Sequence, residues 1–284
     1  MGLLDALPNV TFVTGKGGVG KTTVAEGLVA ALAARGETPL LVEVGEPGDV
    51  LRSQPVAGVR RELITGEDAL ARAAETLFGS AFAARLVMGS FAIKRLARAA
   101  AAVRAFAVLD EVRERAEQGR RVVVDLPATG HGLGWLRAPG QRAVLARAGR
   151  AHDMADRVDR ELLAPGRSAV VVVTLPEPLV LQETGELLQR LRELTRLPPP
   201  GVVINGVPAL LPLPDAPGTV PAAIVREARR REAGRERRRQ ELAALAALAP
   251  GALVELPRFP AEPPPAEVAR HLARGQAPVE VAAG

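Results

Sequence analysis

The sequence predicts an α/β fold with a doubly wound, mainly parallel sheet, and three observations carry that expectation. Apolar, strand-like runs recur along the 284 residues with helical patterns between them. Several runs, such as Ala169-Val170-Val171-Val172-Val173, are continuous instead of alternating, the pattern of strands buried on both faces. The chain also opens with strand, glycine loop and helix in succession. Alternation of strands and helices implies a parallel sheet covered on each side. Ligands then gather at the carboxyl ends of the strands.

The first strand is predicted over Val10–Thr14, which is apolar and β-branched, and the first helix over Lys21–Ala34, stopped at Gly36. Between them lies Gly15-Lys16-Gly17-Gly18-Val19-Gly20-Lys21-Thr22-Thr23, which satisfies the phosphate-loop spacing G-x-x-x-x-G-K-[ST]. In such a loop the backbone N–H groups of Gly15, Gly17, Gly18, Val19 and Gly20 cradle a polyphosphate, and the following helix points its positive end at it. Lys21 reaches the terminal phosphates, and Thr22, followed by Thr23, offers a hydroxyl to Mg²⁺. Lysine usage sharpens the reading. Of 37 basic residues only three are lysine, and two of those are Lys16 and Lys21. A chain that otherwise uses arginine keeps here a compact point charge on a flexible stem. The same residues spell Gly15-x-Gly17-x-x-Gly20, a dinucleotide fingerprint, with Glu43 placed as its ribose-binding acid. That rival, a hydride-transfer enzyme, leaves Lys21-Thr22-Thr23 without a purpose.

The second strand is predicted over Pro39–Val44 and the third over Arg121–Asp125. The stretch 63–119 between them is too long for one crossover helix. It reads as a helical insertion within a single domain spanning 1–284, either a subdomain or a lid on the nucleotide edge. Packing among its own helices is the first expectation for its apolar residues, ahead of an exposed binding patch. Val122-Val123-Val124-Asp125 is an apolar strand ending in an acid able to serve Mg²⁺ through water, followed by a loop rich in glycine and proline. Such a loop can change shape when a γ-phosphate is lost. A further helical segment is expected over 141–163, then strands over Ser168–Thr174, Gly201–Asn205 and Leu253–Leu256. Proline-rich loops are expected at 198–200, 208–217 and 260–265, with a frayed tail after Gln276.

Composition narrows the function further. No cysteine is present, which excludes disulfides, thiolate zinc sites and thiol catalysis. His131, His152 and His271 lie too far apart in sequence to suggest a metal cluster. No run of 18 uncharged apolar residues suggests a membrane span. The N-terminus has neither the basic segment nor the apolar stretch of a signal peptide, so a cytoplasmic protein is expected. Net charge is +5, with a concentration of arginine over 226–239. Glu227, Glu232, Glu236 and Glu241 stand within i,i+3 or i,i+4 reach, and aromatics are absent nearby. A solvated helix face is expected there in preference to a nucleic-acid surface.

The motifs resemble the arsenite-pump and tail-anchored-protein targeting (ArsA-like) ATPases, a family that also contains the cell-division ATPase MinD. The loop Gly15–Thr23 resembles their deviant Walker A motif, K-G-G-x-G-K-[ST]. Asp-Leu-Pro-Ala-Thr-Gly-His at 125–131 resembles the D-T-A-P-T-G-H switch of the first two. Val173–Glu177 resembles their V-T-x-P-E segment, Val203-Ile204-Asn205 a strand end whose Asn reads adenine, and Leu256–Pro260 the loop lining the adenine. The resemblance implies a dimeric, Mg²⁺-dependent ATPase. In it Lys16 reaches the partner's phosphates, Lys21 neutralises the β- and γ-phosphates, and Thr22 ligates Mg²⁺. Asp125 acts on the metal through water, while Asn205, Pro257 and Phe259 hold the adenine. Partners implied are a second copy or a related ATPase, and a hydrophobic protein cargo or membrane protein. The family's D-P-A-H segment is replaced by Glu43-Val44-Gly45-Glu46-Pro47-Gly48-Asp49, so Glu46, Glu43 or Asp49 is left to position the attacking water, or hydrolysis is slow. The alternative is a nucleotide-gated binding module, or a weakly active member of a heterodimer.

Overall fold

The computed structural model describes residues 2–78, 97–127, 134, 136, 150–197, 199–208, 221–248 and 251–274. The predicted loop Ala128–Leu133, the centre of the 63–119 stretch and the segment 141–149 lie outside them. Seven strands form one sheet in which every pairing is parallel. They are β1 (Val10–Gly15), β2 (Leu40–Gly45), β3 (Arg60–Thr65), β4 (Val122–Asp125), β5 (Ser168–Thr174), β6 (Gly201–Val207) and β7 (Ala252–Pro257), in the order β3-β2-β4-β1-β5-β6-β7. The α/β class with a doubly wound parallel sheet is therefore the observed one.

Strand alternation assigns each side chain to a face. Val10 and Phe12 of β1, Val42 of β2 and Val170 and Val172 of β5 enter one core. Helices α3 (Ala97–Glu117), α4 (Arg150–Arg157), α5 (Pro178–Leu194) and α6 (Ala222–Leu248) cover that face with Phe106, Met154, Leu188 and Leu245. Val13, Leu41, Val123 and Val171 point the other way, against α1 (Lys21–Ala34), α7 (Pro265–Arg274) and the 3₁₀ turn Leu3–Ala6. Helices α1 and α7 touch so closely that a Cβ at Gly27 would stand 2.4 Å from Val268 Cγ1. Burial on both faces is what the continuous valine runs require.

The sequence expectation misses β3. Arg60-Arg61-Glu62 is too polar to read as a strand, because it lies at the sheet edge, where only Ile64 and Thr65 are fully buried. Residues 63–65 of the expected insertion thus belong to the sheet. Helix α2 (Gly66–Phe78) follows and packs on α3. Helix α4 continues as a single π turn over Val158–Leu162, closed by Leu163 N–H donating to Val158 O at 3.0 Å. The arginine-rich segment is helical within α6. That helix buries Leu242 and Leu245 near its end, while its first turns, with Ile224, stay exposed. Among the described residues, no helix is long and apolar enough to cross a membrane.

Candidate functional site

The central strands deliver the site. β1 lies between β4 and β5, so its carboxyl end, Gly15, emerges beside Asp125 and Val173. Gly15 has φ 154°, and a Cβ there would stand 2.3 Å from the Val173 carbonyl oxygen. Only glycine lets the chain leave β1 that close to β5. Gly18 and Gly20 have φ 80° and 88°, the left-handed region that lets the loop fold back before the helix begins. Gly20 is the N-cap of α1 and supplies no side chain, so the first N–H groups of the helix receive no side-chain cap. The result is an open, positively polarised helix start beneath an exposed Gly17-Gly18 tip.

Side chains converge on that opening. Lys21 Nζ donates to the Lys16 carbonyl at 3.0 Å, which folds the ammonium back over the loop. Thr22 Oγ1 donates to Asp125 Oδ2 at 2.6 Å, joining α1 to β4. Asp125 is buried, and its Oδ1 has no hydrogen-bond partner. Burial pushes its carboxyl up from 3.8, against the Thr22 hydrogen bond and the charges of Lys21 and Arg52. Burial pushes the Lys21 ammonium down, opposed by Asp125 and reinforced by Arg52. A buried carboxylate oxygen without a partner, one hydroxyl away from a helix start, suits a hard divalent cation with oxygen ligands. The residues present therefore fit a nucleotide with Mg²⁺: Thr22 and Asp125 on the metal side, and Lys21 with the backbone of 15–20 on the phosphates. Such a cation, when bound, neutralises charge on the phosphate oxygens.

The remaining predicted residues fall at different distances from this centre. Asn205, on β6, donates from Nδ2 to the Val19 carbonyl at 3.0 Å, and a Cβ at Gly20 would lie 2.2 Å from that nitrogen. It thus sits directly under the loop. Pro257 ends β7 opposite Val207, and Phe259 two residues on meets His271 edge to face at 5.8 Å. Lys16 is exposed and pairs with Glu183 of α5, Nζ to Oε2 at 2.6 Å. Glu46 is exposed and opens a turn with Pro47 and Gly48, in which Asp49 N–H donates to Glu46 O and Asp49 Oδ2 accepts from Glu46 N–H. Thr23 follows Thr22 into the first turn of α1.

Sequence reasoning did not find the grip on the loop that follows β2. Glu43 is fully buried. Its Oε1 accepts from Ser53 N–H at 3.1 Å and Ser53 Oγ at 2.6 Å, and its Oε2 accepts from Arg52 N–H at 3.0 Å. Glu26 of α1, also buried, takes Gln54 N–H on Oε1 at 2.6 Å and leaves Oε2 without a partner. Burial pushes Glu26 up to about 7, the Gln54 N–H opposing and the charges of Glu262, Glu43 and Asp125 assisting. Of the three acids considered for positioning water, Glu43 is engaged through both oxygens, Asp49 is engaged by its own turn, and Glu46 is exposed.

A domain with this sheet, this phosphate loop and this metal-side pair is a nucleotide-binding domain of ATPase type. The chain matches the family described as the CobQ/CobB/MinD/ParA nucleotide binding domain over residues 10–209, and it belongs to that family. Among curated relatives it is 31% identical over 243 residues to the ATPase BagA of Mycobacterium tuberculosis strain H37Rv, covering 75% of this chain and 71% of that one. The same identity and coverage hold for the "Putative ATPase Mb3704" of Mycobacterium bovis.

Proposed function

We propose that this chain is a Mg²⁺-dependent ATPase of the arsenite-pump and tail-anchored-targeting type, working as a dimer in the cytoplasm. The partner is a second copy or a related ATPase. In this reading nucleotide state drives a shape change that binds or releases a hydrophobic protein cargo or a membrane protein. The observation that carries the nucleotide part is the Thr22–Asp125 hydrogen bond of 2.6 Å with Asp125 Oδ1 left free below an uncapped helix start. Lys21 holds the phosphates, and Asn205, Pro257 and Phe259 line the base. In this proposal the helices following β3, within the 63–119 stretch, form a subdomain inside the single domain. Lys16, whose pair with Glu183 is half exposed, leaves that acid at small cost to face a partner's phosphates. Calorimetric titration of ATP with and without MgCl₂, together with phosphate release, tests the reading. Micromolar binding that needs Mg²⁺ is expected, and no ATP binding at any concentration of the metal would overturn it.

A second reading is a nucleotide-gated module with little turnover. The engagement of Glu43 and Asp49 favours it, since of the three acids considered Glu46 alone then makes no side-chain hydrogen bond among the described residues. Single-turnover hydrolysis, alone and with co-purified related ATPases, separates the two: phosphate release by the chain alone supports the enzyme.

A further inference from the structure

Arg52 differs from three arginines near the sheet that hold carboxylates by direct hydrogen bonds. Arg115 donates to Glu62 at 2.6 Å, Arg121 to Glu37 at 2.8 Å, and Arg113 to Asp110 at 2.7 Å. Among the described residues the Arg52 guanidinium makes no hydrogen bond. Its Nε stands 3.6 Å from Glu43 Oε2, and its side chain is 57% exposed. Its backbone, in contrast, is held by buried acids. Glu43 takes the N–H groups of both Arg52 and Ser53 and the Ser53 hydroxyl, and Glu26 takes the next N–H, that of Gln54. The acid that does most of the gripping is the register partner of Asp125 across β2 and β4. Two acids from adjacent strand ends therefore point one at the helix start and the other at Arg52.

A surface arginine needs no such anchorage. The cost of burying Glu43 completely is offset by hydrogen bonds from residues 52 and 53 and by the nearby Arg52 guanidinium, so the same acid fixes the root of that exposed cation. Through Glu43, the register partner of Asp125, that cation is rooted at the same carboxyl edge of the sheet as the phosphate loop. A guanidinium with a fixed root and free donors, at the edge of a phosphate cradle, suits charge that appears on phosphate oxygens during transfer.

We propose that Arg52, rooted by the Glu43 clasp, is a cation supplied in cis to the terminal phosphate, acting on turnover more than on ground-state binding. This rests on the ATPase reading above. The alternatives of a counter-ion for Glu43, or a cation for ground-state binding, make different predictions. The full-length chain, with Arg52→Ala and Arg52→Lys, is titrated with ATP and Mg²⁺ and then tested for trapping of ADP with aluminium fluoride, a mimic of the transferring group. Phosphate release is measured in parallel.

The expected result is ATP affinity within about threefold of wild type, with trapping and kcat reduced about tenfold or more in Arg52→Ala and partly restored in Arg52→Lys. Thermal denaturation serves as a control, because an exposed side chain should leave Tm unchanged. If Arg52→Ala traps ADP with aluminium fluoride as wild type does, or loses ATP affinity and kcat by the same factor, the proposal is overturned while the ATPase reading stands. A wild-type chain that binds no ATP overturns both.

Discussion

The two walls of the site hold their backbone by opposite means. The Gly15–Thr23 wall is a continuous segment that shapes itself. Left-handed glycines turn it, β5 presses on Gly15, and its own N–H groups face the opening. The 46–54 wall has one tight turn at Pro47-Gly48, and beyond it the chain is held by carboxylates from elsewhere: Glu43 from β2 and Glu26 from α1. The Gly15–Thr23 wall takes its shape from backbone geometry, with Asn205 on the Val19 carbonyl and Thr22 on Asp125 tying it to neighbouring strands. A wall hung on two buried acids is as firm as the charge states of those acids allow. The first suits a constant phosphate cradle, the second a segment whose position answers to its surroundings.

The sharpest way to break the second wall is Glu43→Ala. It removes acceptors from two N–H groups and a hydroxyl at a fully buried position. Hydrogen bonds to charged groups and buried donors left unmet are each worth about 1–3 kcal/mol, so a loss of about 3–4 kcal/mol is expected. Urea denaturation measures it, and a change below about 1 kcal/mol would show that the clasp does not hold the loop.

On the first wall the matching change is Lys21→Ala. Lys21 supplies a charged donor to phosphate, and the loss of about 2–3 kcal/mol corresponds to a fall in ATP affinity of about 30- to 150-fold. Lys21→Arg is expected to fail almost as badly, since the planar fork does not replace a point charge folded back on the Lys16 carbonyl at 3.0 Å. Titration calorimetry decides, and unchanged affinity in either variant would remove Lys21 from the cradle. Folding stability is expected to stay near wild type, unlike for Glu43→Ala.

Lys16→Ala sharpens the comparison within the first wall. Among the described residues its side chain pairs with the half-exposed Glu183, a contact worth no more than about 1 kcal/mol to stability. If the proposed dimer forms, ATP binding should be nearly intact while turnover falls about tenfold, since a lysine supplied in trans acts on charge that develops in the transfer. Equal losses of affinity and turnover would make it a ground-state contact inside its own chain.

What was legible in the sequence divides along the same line. The glycine loop is written in consecutive residues, and its helix begins at the predicted Lys21 and ends at the predicted Ala34. The buried strands β1, β4 and β5 were visible as apolar runs because both their faces meet helices. Strand β3 was not, since an edge strand can carry Arg60, Arg61 and Glu62. Glu43 was noticed only as a strand-end acid, for a ribose or a water. Its hydrogen bonds to residues nine and ten positions later have no periodic signature. Glu26 reads as an ordinary polar helix residue, and only the packing of Gln54 against α1 shows it to be buried. Arg52 was one arginine among many until the structure showed its backbone N–H held by the buried Glu43.

The smallest expected effect is also the one that best separates the two walls, because it depends on pH. Glu26 has its carboxyl pushed up to about 7 in the folded chain, from an ordinary value of 4.5. Between those values the folded state keeps a proton that the unfolded state has released. Stability from this group is therefore fullest below pH 4.5, declines as pH rises through the window to about 7, and is level above it. Glu26→Gln keeps an oxygen for the Gln54 N–H and cannot ionise. It should match or slightly trail wild type near pH 4.5 and gain on it steadily up to pH 7. The new amide brings donors of its own to a place where Glu26 Oε2 already lacked a partner, an offset of about 1 kcal/mol that is the same at every pH and leaves the pH-dependent gain intact. Denaturation of both proteins across this range isolates the group, since every other titration is common to the two. A difference that stays flat from pH 4.5 to 7 would show that Glu26 titrates alike in the folded and unfolded chain, and would remove the pH dependence argued for the second wall.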